Sequence, residues 1–247
     1  MRTGNPALNK KTFQNVRAAA GEGAMTLEGT VNKSFLLFFI LLGSAGFVWH
    51  KFFASSGTAN IAPFIWGGLI GGLIAALVTI FNKQIAKITA PIYALCEGLV
   101  LGGISAIYET AYNGIVTQAV ALTIGIFLTM LFLYKSRIIK PTENFKLGVV
   151  AATGGIAFIY FFSFILGLFG VGIPFIHGNG LFGIGFSLFV VGIASLNLVL
   201  DFDFIETGAE QGAPKYMEWY ASFGLLVTLV WLYLEILRLL AKLQSRR

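Results

Sequence analysis

Residues 181–206 read "LFGIGFSLFVVGIASLNLVLDFDFIE". The first twenty carry no charged side chain, and Asp201, Asp203 and Glu206 then follow in quick succession. A bilayer's hydrocarbon core is about 30 Å thick and takes roughly 20 apolar residues of helix to cross. The stretch therefore reads as a membrane span that ends against a cluster of acids. In lipid, where no water satisfies the backbone, a run of this length is viable only as a helix.

Six further runs of similar length surround it. The spans fall at 34–54, 60–81, 91–111, 114–134, 145–170, 181–200 and 217–242, after an N-terminal tail of residues 1–33. The pattern predicts an all-α integral membrane protein, a seven-transmembrane-helix bundle occupying residues 34–247. Composition agrees: 57% of the 247 residues are hydrophobic and only 11% charged, where a soluble domain carries about a quarter charged. The mean hydropathy is +0.82. The seventh run holds Glu218, Glu235, Arg238 and Lys242, a load that suits a helix surrounded by the others and hence central. In the tail, Leu8, Phe13 and Val16 fit either a short interfacial helix or a disordered segment, and no signal-peptide core is present.

With the N-terminus inside, 12 of the 17 Lys and Arg residues fall on that side, which the positive-inside rule identifies as cytoplasmic. The basic C-terminal "RLLAKLQSRR" then lies outside, or the last run does not fully span. Net charge +6 follows from these short clusters between spans, so nucleic acid is not an expected partner; the lipid bilayer is. Gly67 and Gly71, Gly68 and Gly72, and Gly98 and Gly102 repeat at four-residue spacing, which lets helices approach closely. The single Cys96 lies in an apolar run and reads as a buried structural thiol.

The motifs of soluble enzymes are missing. There is no phosphate loop with its lysine, no His-Glu-x-x-His helix and no Gly-x-Ser-x-Gly elbow. His50 and His177 stand far apart at segment ends. No enzyme activity and no organic cofactor are expected, and no inverted repeat of the transporter kind is evident.

The carboxylates carry the functional reading. An acid inside hydrocarbon is costly unless neutralised, paired or hydrated, and so marks function. Glu97 lies about 9 Å into the third span by helical rise, and Asp201, Asp203 and Glu218 stand at the cytoplasmic ends of the sixth and seventh. These four are the candidate ion-binding and proton-sensing residues, in one layer. Asp201 is favoured because Asn197, one turn earlier, can hydrogen-bond it; Asp203 and Glu206 also fit solvated loop acids. Lys87 is the candidate counter-ion, and Glu235, about 27 Å along the last helix, is the weaker candidate. Two carboxylates in a low-dielectric layer suppress each other's ionisation, which makes a proton-controlled latch. Deprotonated, their oxygens suit calcium, with Asp201 as the candidate ligand.

The segments "MRTGNPALNKKTF", "YALCEGLVLGGISAIYE", "LNLVLDFDFIETGAEQGAP" and "EWYASFGLLVTLVWLYLEILRLL" together resemble the Bax inhibitor-1/YccA-like (transmembrane Bax inhibitor motif) family, in a bacterial-type form. The resemblance implies a seven-helix fold with a central last helix in a bacterial inner membrane, and a pH-sensitive calcium leak. It also implies a proton sensor of two aspartates on the last two helices. Asp201 matches the first. Aligning "LYLE" puts the second at Glu235; aligning "ILRLL" puts an uncharged residue near Thr228 there instead, leaving Glu97 or Glu218 as the partner. The leading expectation is thus a pH-sensitive calcium or cation leak channel. The alternative is a membrane scaffold that modulates a protease or stress-response protein partner.

Overall fold

The computed structural model describes residues 23–55, 57, 60–170, 178 and 180–246. Among them stand α1 (Leu27–Ala54), α2 (Ala62–Phe81), α3 (Ala86–Ala111), α4 (Ile115–Lys135), α5 (Glu143–Leu168), α6 (Leu181–Glu210) and α7 (Met217–Gln244), with a 3₁₀ turn at Lys83–Ile85 leading into α3. All seven helices are long and apolar enough to cross a membrane, as a seven-helix membrane bundle requires. The last is one continuous helix of 28 residues, about 42 Å by helical rise and so long enough to span. The tail with Leu8, Phe13 and Val16, and His177 with most of its turn, lie outside the described residues. His50 is exposed, and Cys96 is half-buried rather than buried.

Local chemistry sets the helix starts. Thr26 Oγ1 accepts from the Gly29 N–H at 3.0 Å and opens α1, and Thr142 Oγ1 accepts from the Phe145 N–H at 3.3 Å to open α5. In both, a side-chain oxygen satisfies a donor the first turn leaves open. Pro63 occupies the first turn of α2, where its missing N–H is not needed. Between α6 and α7, Gly212 takes φ +65°, a left-handed turn that glycine adopts without a steric penalty.

The helices outrun the apolar windows. α1 starts at residue 27 rather than 34, α3 at 86 rather than 91, and α6 ends at 210 rather than 200. These extensions are amphipathic: Phe204, Ile205 and Gly208 are buried while Asp203, Glu206 and Thr207 are half-exposed. Hydropathy falls where the polar face begins, although the backbone stays helical. Asp203 and Glu206 are therefore helical residues, not loop acids.

The chain forms two compact units. One holds Gly114–Asp203 and the chain from Thr228 onward, hence α4, α5, most of α6 and the end of α7; the other holds α1 to α3 with Phe204–Val227. Burial is uneven along the chain. More than half of the spanning windows of α3, α6 and α7 is buried, 56%, 56% and 61%, against 17% to 22% for the other four. Eight of the eleven acids lie on those three helices, the pattern expected when charge is kept away from lipid.

Within the α1–α3 unit, α3 packs on both α1 and α2. Gly98 faces the Leu41 carbonyl and Ser44 Oγ, Gly102 faces the Ala45 backbone, and Gly68 of α2 faces the Cys96 carbonyl. Alanine at Gly98 or Gly102 would drive a methyl into α1 backbone that cannot rotate aside, and overpacking of this kind costs about 1–3 kcal/mol. Gly98→Ala is expected to lower the apparent melting temperature in detergent. Gly154→Ala on α5, where a Cβ meets open space, is expected to be neutral or to stabilise by up to about 1 kcal/mol. Equal melting temperatures for the two variants would refute the close approach.

Candidate functional site

In the α1–α3 unit, Glu218 on the first turn of α7 is fully buried. Its Oε1 accepts from the Thr26 N–H and the Thr26 hydroxyl, both at 3.0 Å, and its other oxygen is ion-paired with Lys33 of α1. The Lys33 ammonium also lies 5.5 Å from the Trp219 ring. Ser34 Oγ and Ser222 Oγ are 3.0 Å apart, and both reach the Thr30 carbonyl at 2.9 Å. Gly29 faces the carboxylate so closely that any Cβ would overlap it. The Met25 N–H donates to the Ala213 carbonyl at 2.6 Å, tying the segment ahead of α1 to the α6–α7 turn. The first turns of α1 and α7 are thus clasped around one acid.

Glu97 stands elsewhere. Because α3 begins at Ala86, Glu97 lies about 17 Å along it by helical rise, not 9 Å. The Tyr93 and Phe223 rings meet at 5.0 Å and Lys83 lies 5.5 Å from the Tyr220 ring, so α3 and α7 run in the same direction here. Glu97 is one turn beyond that ring pair and Glu218 is more than a turn before it, about 13 Å apart in depth. The two do not share a layer, contrary to expectation. Glu97 is half-exposed and faces Gly72 of α2.

In the α4–α5 unit, Asp201 is 1% exposed. It lies nine residues before the end of α6, hence about 14 Å inside the helix rather than at its mouth. Two residues on, Asp203 points away from it and pairs with Lys146 of α5, itself buried. Asn197 does not serve Asp201 as expected: its Nδ2 donates to Thr153 Oγ1 at 2.8 Å and to the Ile193 carbonyl at 2.9 Å. Lys87 is not the counter-ion either. It is exposed on the first turn of α3, and Lys33 and Lys146 meet the carboxylates instead.

Glu235 is more firmly held than its position suggested. It is 2% exposed; the Tyr160 hydroxyl lies 3.0 and 3.1 Å from its two oxygens, and Arg238 Nη1 donates to Oε1 at 2.9 Å. Arg238 also donates to the Tyr160 hydroxyl oxygen at 2.9 Å. One turn further, Lys242 Nζ donates to the Gly183 carbonyl at 3.0 Å and to Ser187 Oγ at 2.8 Å. Lys33, Lys146, Thr153 and Tyr160 were not anticipated as partners. Lysines inside otherwise apolar helices are the signal that identifies the first two.

Among the described residues no three His, Cys, Asp or Glu side chains gather as a metal cage. The arrangement offers separate carboxylates, each able to exchange a proton, hold an ammonium or lend oxygens to a hard cation. A family model described as Bax inhibitor 1 like matches residues 5–245, nearly the whole chain. No curated protein and no solved structure matches it.

Proposed function

Since the chain belongs to the Bax inhibitor 1 like family, we propose that it lets calcium pass down its gradient through the membrane, under control of a proton on Asp201. Calcium is the substrate here, a hard cation for which carboxylate oxygens are fitting transient partners. The observation that carries this reading is the burial of Asp201, 1% exposed, directly at the end of the uncharged run 181–200 of α6. Charging a carboxylate in the hydrocarbon layer costs roughly 3 kcal/mol. That is about a hundredfold in an equilibrium between two conformations.

The direction follows from the charge. Protonated, Asp201 is compatible with its buried position and the route stays closed. Deprotonated, it favours a conformation in which it is hydrated, and its oxygens then face the passing ion. The N-terminus is read as cytoplasmic from the distribution of Lys and Arg, and the membrane as a bacterial inner membrane.

The test is calcium flux through the purified protein in liposomes between pH 5 and 8. Wild-type flux is expected to rise with pH, and Asp201→Asn to give low flux that no longer depends on pH. An unchanged profile in Asp201→Asn would remove this residue from the mechanism, and no flux at any pH would sink the reading as a whole.

A further inference from the structure

Three groups of polar contacts in the α4–α5 unit fall on one line of α5. Lys146, Thr153 and Tyr160 recur at seven-residue spacing on α5, interleaved with the buried Val149, Ile156 and Ser163. One face of this helix therefore turns inward along most of its length, while Phe158, Phe161 and Phe162 are exposed on the other. Each polar member has a polar partner. Lys146 pairs with Asp203, Thr153 accepts from Asn197, and Tyr160 meets Glu235 and Arg238. Successive members are about 10 Å apart by helical rise, and the row covers about 21 Å of a hydrocarbon layer about 30 Å thick.

Stability alone is a poor reason for this row. Hydrogen bonds between helices in a membrane return about 0.6 kcal/mol on average, while each charged group placed at depth costs several times that. Val149 and Ile156 show that apolar side chains pack at positions of the same face. Polar and ionisable residues on an inward face are what a route for water and ions needs.

We infer that this face of α5, with the facing parts of α6 and α7, is the translocation route of the unit. It is closed at one end by Lys146–Asp203 and at the other by Tyr160–Glu235–Arg238. The Thr153–Asn197 pair is its waist, and Asp201, one turn beyond Asn197 on α6, adds a carboxylate beside it. The occupant is a small hydrated cation. The inference rests on the leak reading for its ion, but the route can be examined without it.

In a Cys96→Ala background, Thr153→Cys and Ile156→Cys on the inward face and Phe158→Cys and Phe161→Cys on the outward face are reconstituted in liposomes. They are then exposed to a membrane-impermeant cationic methanethiosulfonate. The inward cysteines are expected to react at least about tenfold faster. Adding Tyr160→Phe, which removes the hydroxyl between Glu235 and Arg238, is expected to speed labelling of Thr153→Cys severalfold. Equal rates on both faces overturn the route even if calcium flux is intact, and an unchanged rate with Tyr160→Phe overturns its role as a closure. Fast inward labelling in vesicles that pass no calcium upholds the route and removes calcium as its occupant.

Discussion

Lys33→Met is expected to lower the apparent melting temperature of the detergent-solubilised protein by roughly 6–12 °C, and the added change Glu218→Gln to recover most of that loss. The pair joins α1 to the start of α7, with Glu218 fully buried and Lys33 18% exposed. Removing one partner of a buried pair costs roughly 3–5 kcal/mol, because it strands the other charge. The Thr26 N–H and hydroxyl still hold the carboxylate, which favours the lower end, about 3 kcal/mol. For a chain of this size each kcal/mol corresponds to roughly 2–4 °C. Glutamine at 218 keeps an acceptor for Thr26 and carries no charge, so nothing is stranded in the double variant. Glu218→Gln alone is expected to cost less than Lys33→Met, since the lysine stem is long enough to carry its ammonium to the interface. If the two single changes simply add, the pair is not coupled and the clasp has no energetic meaning.

Seven spans were legible because twenty apolar residues in lipid leave the backbone one solution. The helix ends were not, and the site suffered most from that. Starting α3 at 86 moves Glu97 further along its helix, and its expected common layer with Glu218 dissolves. The sequence "FIETGAE" looks like a polar loop when averaged and like a helix when its buried Phe204, Ile205 and Gly208 are seen to share a side. The candidate acids themselves could be picked out, since a carboxylate in an apolar run is conspicuous. Their counter-ions could not. Lys33 meets Glu218 across 185 positions and Lys146 meets Asp203 across 57, and no local spacing encodes either pairing. The row of Lys146, Thr153 and Tyr160 is different: its seven-residue period was readable, and only its partners on α6 and α7 required the fold.

At the far end of that row, Arg238→Met is expected to destabilise the protein by about 2–3 kcal/mol, more than Glu235→Gln at about 1 kcal/mol or less. The two residues form one ion pair at i and i+3 on α7, yet they are not equivalent: the glutamate side chain is 3% exposed and the arginine 36%. Deleting the arginine leaves a buried carboxylate held by the Tyr160 hydroxyl. Deleting the charge of the glutamate leaves a half-exposed guanidinium, whose long stem lets it turn toward the headgroup region. The amide of glutamine can still accept from Tyr160 or Arg238. Apparent melting temperatures of the purified variants measure the order. Tyr160→Phe in the Arg238→Met background removes a further donor and is expected to widen the gap. A Glu235→Gln variant that melts as low as Arg238→Met would mean that the arginine is the fixed charge. The acid would then lose its place as the group that closes this end of the row.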